Sequence, residues 1–292
     1  MKLEIMNVSK SYGNRHALQN IDMEILPGIV GLLGENGAGK STLMKILSTI
    51  LNPTNGRVLL NGVDIKKSPN MMRNILGYLP QNFGVYPNLN AVEFLLYIAA
   101  IKGLDRKTAK RRVGQLLELV NLTEAKKSAA GSYSGGMRQR LGIAQALLND
   151  PKIIIVDEPT VGLDPVERIR FRHLLSDLSG ERIVILSTHI VSDVEAAAGK
   201  IAVMSKGRLL SYTKPEELLT AVNNCVWERI VREEELQKLR KQFIVCNTVR
   251  TGDGINVRFI AKDLSERNAN LVVPTLEDAY LYLISKSGKS DE

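Results

Sequence analysis

The segment Gly34-Glu35-Asn36-Gly37-Ala38-Gly39-Lys40-Ser41 constrains the fold of this 292-residue chain more than any other. It satisfies the pattern G-x-x-x-x-G-K-[ST] at every specified position. Before it, the apolar run Ile29-Val30-Gly31-Leu32-Leu33 reads as a buried strand; after it, Thr42-Leu43-Met44-Lys45-Ile46-Leu47 reads as a helix. A buried strand that passes through a glycine turn into a helix demands a sheet covered by helices, hence an α/β core. The same residues state a chemistry. Gly34, Gly37 and Gly39 let the backbone curl so that successive N–H groups point inward at phosphate oxygens. Lys40 supplies a point charge for β and γ phosphates, and the Ser41 hydroxyl can ligate Mg²⁺. The helix aims its positive end at the same place. The expected ligand is a nucleoside triphosphate with Mg²⁺.

The rest of the chain fits around that core. Residues 1–27 read as short strands, with period-two alternation over 3–8 and a turn at Tyr12-Gly13-Asn14-Arg15. Residues 56–62 form a strand closed by an Asn61-Gly62 turn. From about 88 to 148 the spacing becomes helical, as in Val113, Leu116, Leu117 and Val120. Strands return at 152–156 and 182–186, apolar throughout as strands covered on both faces are. A helix over 165–178 separates them, and 201–212 reads as a strand pair turned at Lys206-Gly207. After Pro215 the pattern changes to a small α+β appendage with helices over 216–222 and 233–243, a strand over 226–231 and two strands about Asp253-Gly254. Thr275-Leu276-Glu277-Asp278 opens a last helix with a capping-box pattern. Its stripe of Leu276, Ala279, Tyr280, Leu283 and Ile284 must dock on something.

Composition narrows the setting. No apolar run approaches the roughly 20 residues that cross a bilayer; Ala91–Ile101 is too short and holds Glu93. The start, Met1-Lys2-Leu3-Glu4-Ile5, has an acid where a secretory peptide needs an apolar core, so a soluble, cytoplasmic protein is expected. Cys225 and Cys246 have no His or Cys at metal spacing and read as packed, reduced thiols. The net charge of +8 is concentrated: residues 102–140 hold ten Lys or Arg against Asp105, Glu118 and Glu124. Nucleic acid, an anionic membrane face and a plain solvated surface all fit that excess.

Asp157 and Glu158 close the strand 153–156, where acids serve nucleotide chemistry. Asp157 can orient Mg²⁺ through its waters, and Glu158 can polarise an attacking water. Other motifs accompany them in order: Tyr12, Tyr78-Leu79-Pro80-Gln81, Tyr133-Ser134-Gly135-Gly136-Met137-Arg138-Gln139-Arg140, Val161-Gly162-Leu163-Asp164 and Ser187-Thr188-His189. In these residues the chain, from 1 to about 215, resembles the nucleotide-binding subunits of ABC (ATP-binding cassette) transporters.

The resemblance implies an α/β P-loop NTPase of ABC type. Its parts would be an N-terminal antiparallel β subdomain, an inserted helical subdomain (about 88–148), and the α+β C-terminal appendage (216–292). Tyr12 would stack on adenine. Gly34, Glu35, Asn36, Gly37, Ala38, Gly39, Lys40, Ser41 and Thr42 would hold the phosphates as the Walker A loop. Gln81 would sense Mg²⁺ and link core to helical subdomain, joining Ser41 and Asp157 at the metal. Glu158 would be the catalytic base and His189 the switch residue on the γ-phosphate, with Lys40 and Gln81 assisting. Asp164 falls in the D-loop. Ser134, Gly135 and Gly136 form the signature turn, which serves the nucleotide of the opposite subunit, so two cassettes would sandwich two ATP molecules.

Tyr133 and Met137 stand where the family most often has Leu and Gln. A Met cannot repeat a glutamine's hydrogen bonds, yet Ser134 and Gly136 are retained, so ATP use is expected to survive.

The partner implied is a separately encoded membrane permease, gripped by the helical subdomain from the inner face of the cell membrane. Pro274-Thr275-Leu276-Glu277-Asp278-Ala279-Tyr280 resembles a segment common in the branch that exports drugs, peptides or lipids. The alternative is a soluble cassette ATPase acting on ribosomes or DNA. Such relatives carry two cassettes or long coiled coils, whereas this chain has one cassette and no sustained heptads, so a nucleic-acid partner is not expected.

Overall fold

The computed structural model describes residues 1–262, 264 and 268–289. The chain opens with a hairpin of β1 (Leu3–Tyr12) and β2 (Arg15–Ile25), then β3 (Gly28–Leu33) and the helix α1 (Lys40–Leu47). A second hairpin, β4 (Asn55–Leu60) and β5 (Val63–Asp64), turns at Asn61-Gly62. Next come α2 (Pro69–Arg73), β6 (Leu76–Leu79) and three helices: α3 (Ala91–Ile101), α4 (Arg106–Leu119) and α5 (Gly135–Ala146). The alternation resumes with β7 (Ile153–Asp157), α6 (Pro165–Ser179), β8 (Ile183–Thr188), α7 (Val191–Glu195), β9 (Lys200–Ser205) and β10 (Arg208–Thr213). The last part runs α8 (Pro215–Thr220), β11 (Val226–Val231), α9 (Glu233–Gln242), β12 (Ile244–Thr251), β13 (Gly254–Ile260), β14 (Asn270–Leu271) and α10 (Leu276–Lys289).

The six-stranded sheet, ordered β10-β9-β3-β8-β7-β6, organises the molecule, and its interior pairs are parallel. Side chains alternate across it. Ile153, Ile155, Ile183 and Ile185 face α1 and the antiparallel sheet β2-β1-β4-β5. Ile154, Val156, Val184 and Leu186 face the opposite core, shared with α3, α4 and α5. Burial on both faces explains the unbroken apolar runs of β7 and β8. β1 and β2, at 10 and 11 residues, are longer than the short strands expected for 1–27. β6, which carries Gln81 just beyond its end, is a sheet strand the spacing did not reveal. No helix among the described residues is long and apolar enough to cross a membrane.

The C-terminal sheet, ordered β12-β13-β11-β14, is antiparallel and packs α9 on one face through Leu236, Leu239, Val257 and Phe259. Its other side joins the main core. Leu276 and Ala279 of the expected stripe are buried in that core with Val194 of α7 and Ile201 and Val203 of β9, and α10 also packs on α8 and β12. Tyr280, Leu283 and Ile284 are half-buried at the edge, and Tyr282, outside the expected stripe, is buried with the first two. The capping box is reciprocal: Asp278 accepts from Thr275 N (2.8 Å) and Oγ1 (2.9 Å), while Thr275 Oγ1 accepts from Asp278 N (3.4 Å). Arg258 of β13 donates to both Asp278 oxygens and to Glu228 of β11, clamping α10 to the sheet. Cys225 and Cys246 are free thiols, and burial pushes Cys246 up to about 12.

Candidate nucleotide site

Between β3 and α1 the chain turns through Gly39, whose φ of +104 favours glycine, and a Cβ there would stand 2.6 Å from the Ala17 carbonyl oxygen. Lys40 follows, its side chain 4% exposed. Its Nζ donates to the carbonyls of Gly34 (2.6 Å) and Glu35 (3.1 Å) and lies 3.5 Å from Glu158 Oε1. Burial pulls the Lys40 pKa below the ordinary lysine value, and the Glu158 carboxylate opposes that shift. The loop borders a cleft of about 420 Å³, lined by Tyr12, Arg15, Ala17, residues 35–42, Gln81 and Glu158.

Neighbouring strand ends supply the acids. Asp157 of β7 pairs with Ser187 of β8, and its Oδ1 accepts from Ser187 Oγ and from Ser41 Oγ at 3.3 Å. Glu158 leaves the strand in a left-handed conformation, φ +48, uncommon for a residue with a side chain. Its N–H donates to Ser187 Oγ (2.9 Å) and Ser187 O (3.2 Å), which hold the turn. This conformation turns the carboxylate back over the loop. Its Oε2 stands 3.4 Å from Gln81 Nε2 and 3.4 Å from His189 Nδ1. One carboxylate, 6% exposed, therefore contacts three of the residues singled out in the sequence: Lys40, Gln81 and His189.

Tyr12 stands at the cleft wall, 48% exposed, with Lys10 Nζ 5.3 Å from its ring centroid. Ser134, Gly135, Gly136 and Asp164 are not among the residues lining this cleft. Ser134 is the N-cap of α5, its Oγ accepting from Met137 N at 3.2 Å, and both Ser134 and Gly135 are exposed. Gly136 lies beside Leu163 and Glu167, and Asp164 caps α6 by accepting from Glu167 N at 2.9 Å. The two departures from the family pattern point inward. Tyr133 is 2% exposed and donates its hydroxyl to Ala125 O (2.7 Å), and the Met137 side chain packs against the core.

Arg15 and Ala17 at the cleft, and Ser187 beneath the acids, were not singled out in the sequence. Arg15 is read there only as part of a turn, and Ser187 only as the neighbour of His189. Among the described residues no cluster of three or more His, Cys, Asp or Glu could hold a metal. The Ser41–Asp157 oxygen pair nevertheless fits Mg²⁺, which takes one or two protein oxygens and completes its shell with phosphate and water.

Residues 18–161 match the ABC transporter family. An uncharacterized ABC transporter ATP-binding protein of Bacillus subtilis (strain 168), YxlF, is 36% identical over 233 residues, 80% of this chain and 77% of that protein. Nod factor export ATP-binding protein I of Cupriavidus metallidurans is 36% identical over 241 residues, 82% of this chain and 79% of that protein. The dimeric post-hydrolysis state of the ATP-binding cassette MJ0796, bound to ADP and Pi, aligns with a TM-score of 0.67. Its identity is 26%, over 73% of this chain and 98% of that one. The chain belongs to the ABC transporter family, among its ATP-binding, ATP-hydrolysing cassettes.

Proposed function

We propose that two copies of this chain close around two ATP molecules and drive export through a separately encoded permease at the inner face of the cell membrane. The observation that carries the reading is the Glu158 carboxylate held against Lys40, Gln81 and His189 at the floor of the cleft. Phosphate oxygens entering the cleft take over the Lys40 donors that Gly34 and Glu35 carbonyls accept, while Gly37 and Gly39 keep the loop N–H groups turned inward. Glu158 accepts the proton of the attacking water, and His189 and Lys40 stabilise charge on the transferred group. Ser41 and Asp157, with Gln81 nearby, are the residues that would hold Mg²⁺, which would supply charge neutralisation for the phosphates.

The exposed N-terminus of α5 suits the outer half of a shared site. Ser134 and Gly136 on one copy complete the nucleotide site of the other, consistent with the dimeric state solved for MJ0796. Export is favoured by the likeness to Nod factor export ATP-binding protein I and by the 274–280 segment. The competing reading, a soluble ATPase on ribosomes or nucleic acid, draws support from the basic helical subdomain alone. Purifying the tagged chain from detergent-solubilised membranes separates the two. Recovery with a polytopic membrane protein supports the export reading, and recovery with ribosomes overturns it.

A further inference from the structure

Of the ten cations of residues 102–140, Lys126 and Lys127 lie apart in the loop between α4 and α5, and the other eight divide into two groups. Four are engaged within the fold. Lys102 donates to Asn149 Oδ1 (2.8 Å), Arg112 to Leu147 O and Asp150, Arg138 to Tyr133 O, and Arg140 pairs with Glu167 at 3.4 Å. By contrast Arg106, Lys107, Lys110 and Arg111, in the first turns of α4, are exposed and pair with no acid among the described residues.

Their placement works against the helix. The N-terminal end of a helix carries partial positive charge and favours acids, yet α4 has none in its first turn beyond the cap residue Asp105. Arg106–Lys110 and Lys107–Arg111 are like-charge pairs at i,i+4, which destabilise a helix. Helix α9 of the same chain follows the opposite rule, with Glu233, Glu234 and Glu235 in its first turn and Arg240 and Lys241 in its last. The buried face of α4, made by Ala109, Val113, Leu116 and Leu117, gains nothing from the four charges. The fold of the described residues therefore makes no use of these four charges.

Beside these cations the end of α3 exposes apolar surface. Ile101 is 65% exposed and Tyr97 46%, one helical turn apart on the same face, and only the four residues 102–105 separate Ile101 from Arg106. Unpaired cations bordering an exposed aliphatic and a tyrosine match an anionic bilayer surface. There, phosphate and carboxylate headgroups meet the cations, and the interfacial region takes the apolar side chains.

We infer that the α3–α4 end of the helical subdomain is a contact site for anionic lipid headgroups, built from Arg106, Lys107, Lys110 and Arg111 with Ile101 and Tyr97 at its edge. This rests on the reading of the chain as a permease's subunit and adds a second attachment to the membrane that needs no permease.

The test is co-sedimentation of the full chain with phosphatidylcholine vesicles, with and without about one third phosphatidylglycerol. The expected result is binding to the anionic vesicles alone, abolished near 1 M salt where the Debye length is about 3 Å. The fourfold variant Arg106→Gln, Lys107→Gln, Lys110→Gln and Arg111→Gln should lower the partition coefficient by on the order of a thousandfold. ATP turnover of the variant should stay at the wild-type rate. That rate reports the fold and the cassette chemistry separately from the lipid face, so failure of one is told apart from failure of the other. No binding to anionic vesicles at low salt, or equal binding by the variant, overturns the inference. So does tighter binding of the same four residues to duplex RNA or DNA, which assigns the face to nucleic acid.

Discussion

Oε2 of Glu158 lies 3.4 Å from Nδ1 of His189, and the pairing of β7 with β8 places the two there. Glu158 follows the last residue of β7 and His189 the last residue of β8, so adjacent parallel strands deliver an acid and an imidazole to one point. Lys40 approaches Oε1 of the same carboxylate from the loop.

Replacing His189 with Ala leaves Lys40, Ser41 and the loop in place. Turnover should fall on the order of a hundredfold while ATP affinity changes less than a few fold. Steady-state hydrolysis and equilibrium nucleotide binding, measured separately, check this.

Behind the site, Asp193 of α7 is 1% exposed and joins the turns that carry Glu158 and His189. Its Oδ2 accepts from Thr160 Oγ1 (2.5 Å), two residues after Glu158, and from Thr188 Oγ1 (3.5 Å), one residue before His189. Arg172 stands 3.8 Å from its other oxygen. Asp193→Ala should cost about 2 kcal/mol of stability, because buried hydroxyls lose their acceptor. It should also lower kcat with KM nearly unchanged, and urea unfolding with steady-state kinetics reads both effects.

Arg258 and Asp278 fasten α10 to the C-terminal sheet. Burial alone would raise the Asp278 pKa, but hydrogen bonds from Arg258 and Thr275 outweigh it and hold the carboxyl below its ordinary value. A depressed folded-state pKa stabilises fully above the unfolded value of about 3.9 and loses that contribution as pH falls through the folded value. Asp278→Asn should therefore destabilise by about 3 kcal/mol at neutral pH. Its deficit relative to wild type should shrink below about pH 4, which urea titrations at several pH values would show.

Much of this was legible in the residues. The loop 34–41, the acids at 157–158 and His189 stand at ends of strands whose apolar runs announce them, because a strand covered on both faces admits little else. β6 was missed, since Leu76-Gly77-Tyr78-Leu79 is four residues long and lacks alternation. Its glycine serves packing, as a Cβ on Gly77 would stand 2.4 Å from the Ala146 carbonyl oxygen. The Asp193 network was equally hidden, because Thr160 lies 33 residues from Asp193 and meets it only once β7 pairs beside β8. The α10 stripe declared that it was buried but could not name its partner. Its partners are α8 and β12 together with α7 and β9, elements that only the folded chain gathers around it.

The central claim is that Glu158 is the base of a site two chains share. The most direct measurement is the Glu158→Gln variant with Mg²⁺ and ATP, assayed for hydrolysis and for mass in solution. Hydrolysis should fall by on the order of a thousandfold, and the 32.3 kDa chain should accumulate as a dimer that disperses when ATP is removed. Turnover at the wild-type rate, or a variant that stays monomeric with ATP bound, would contradict the account.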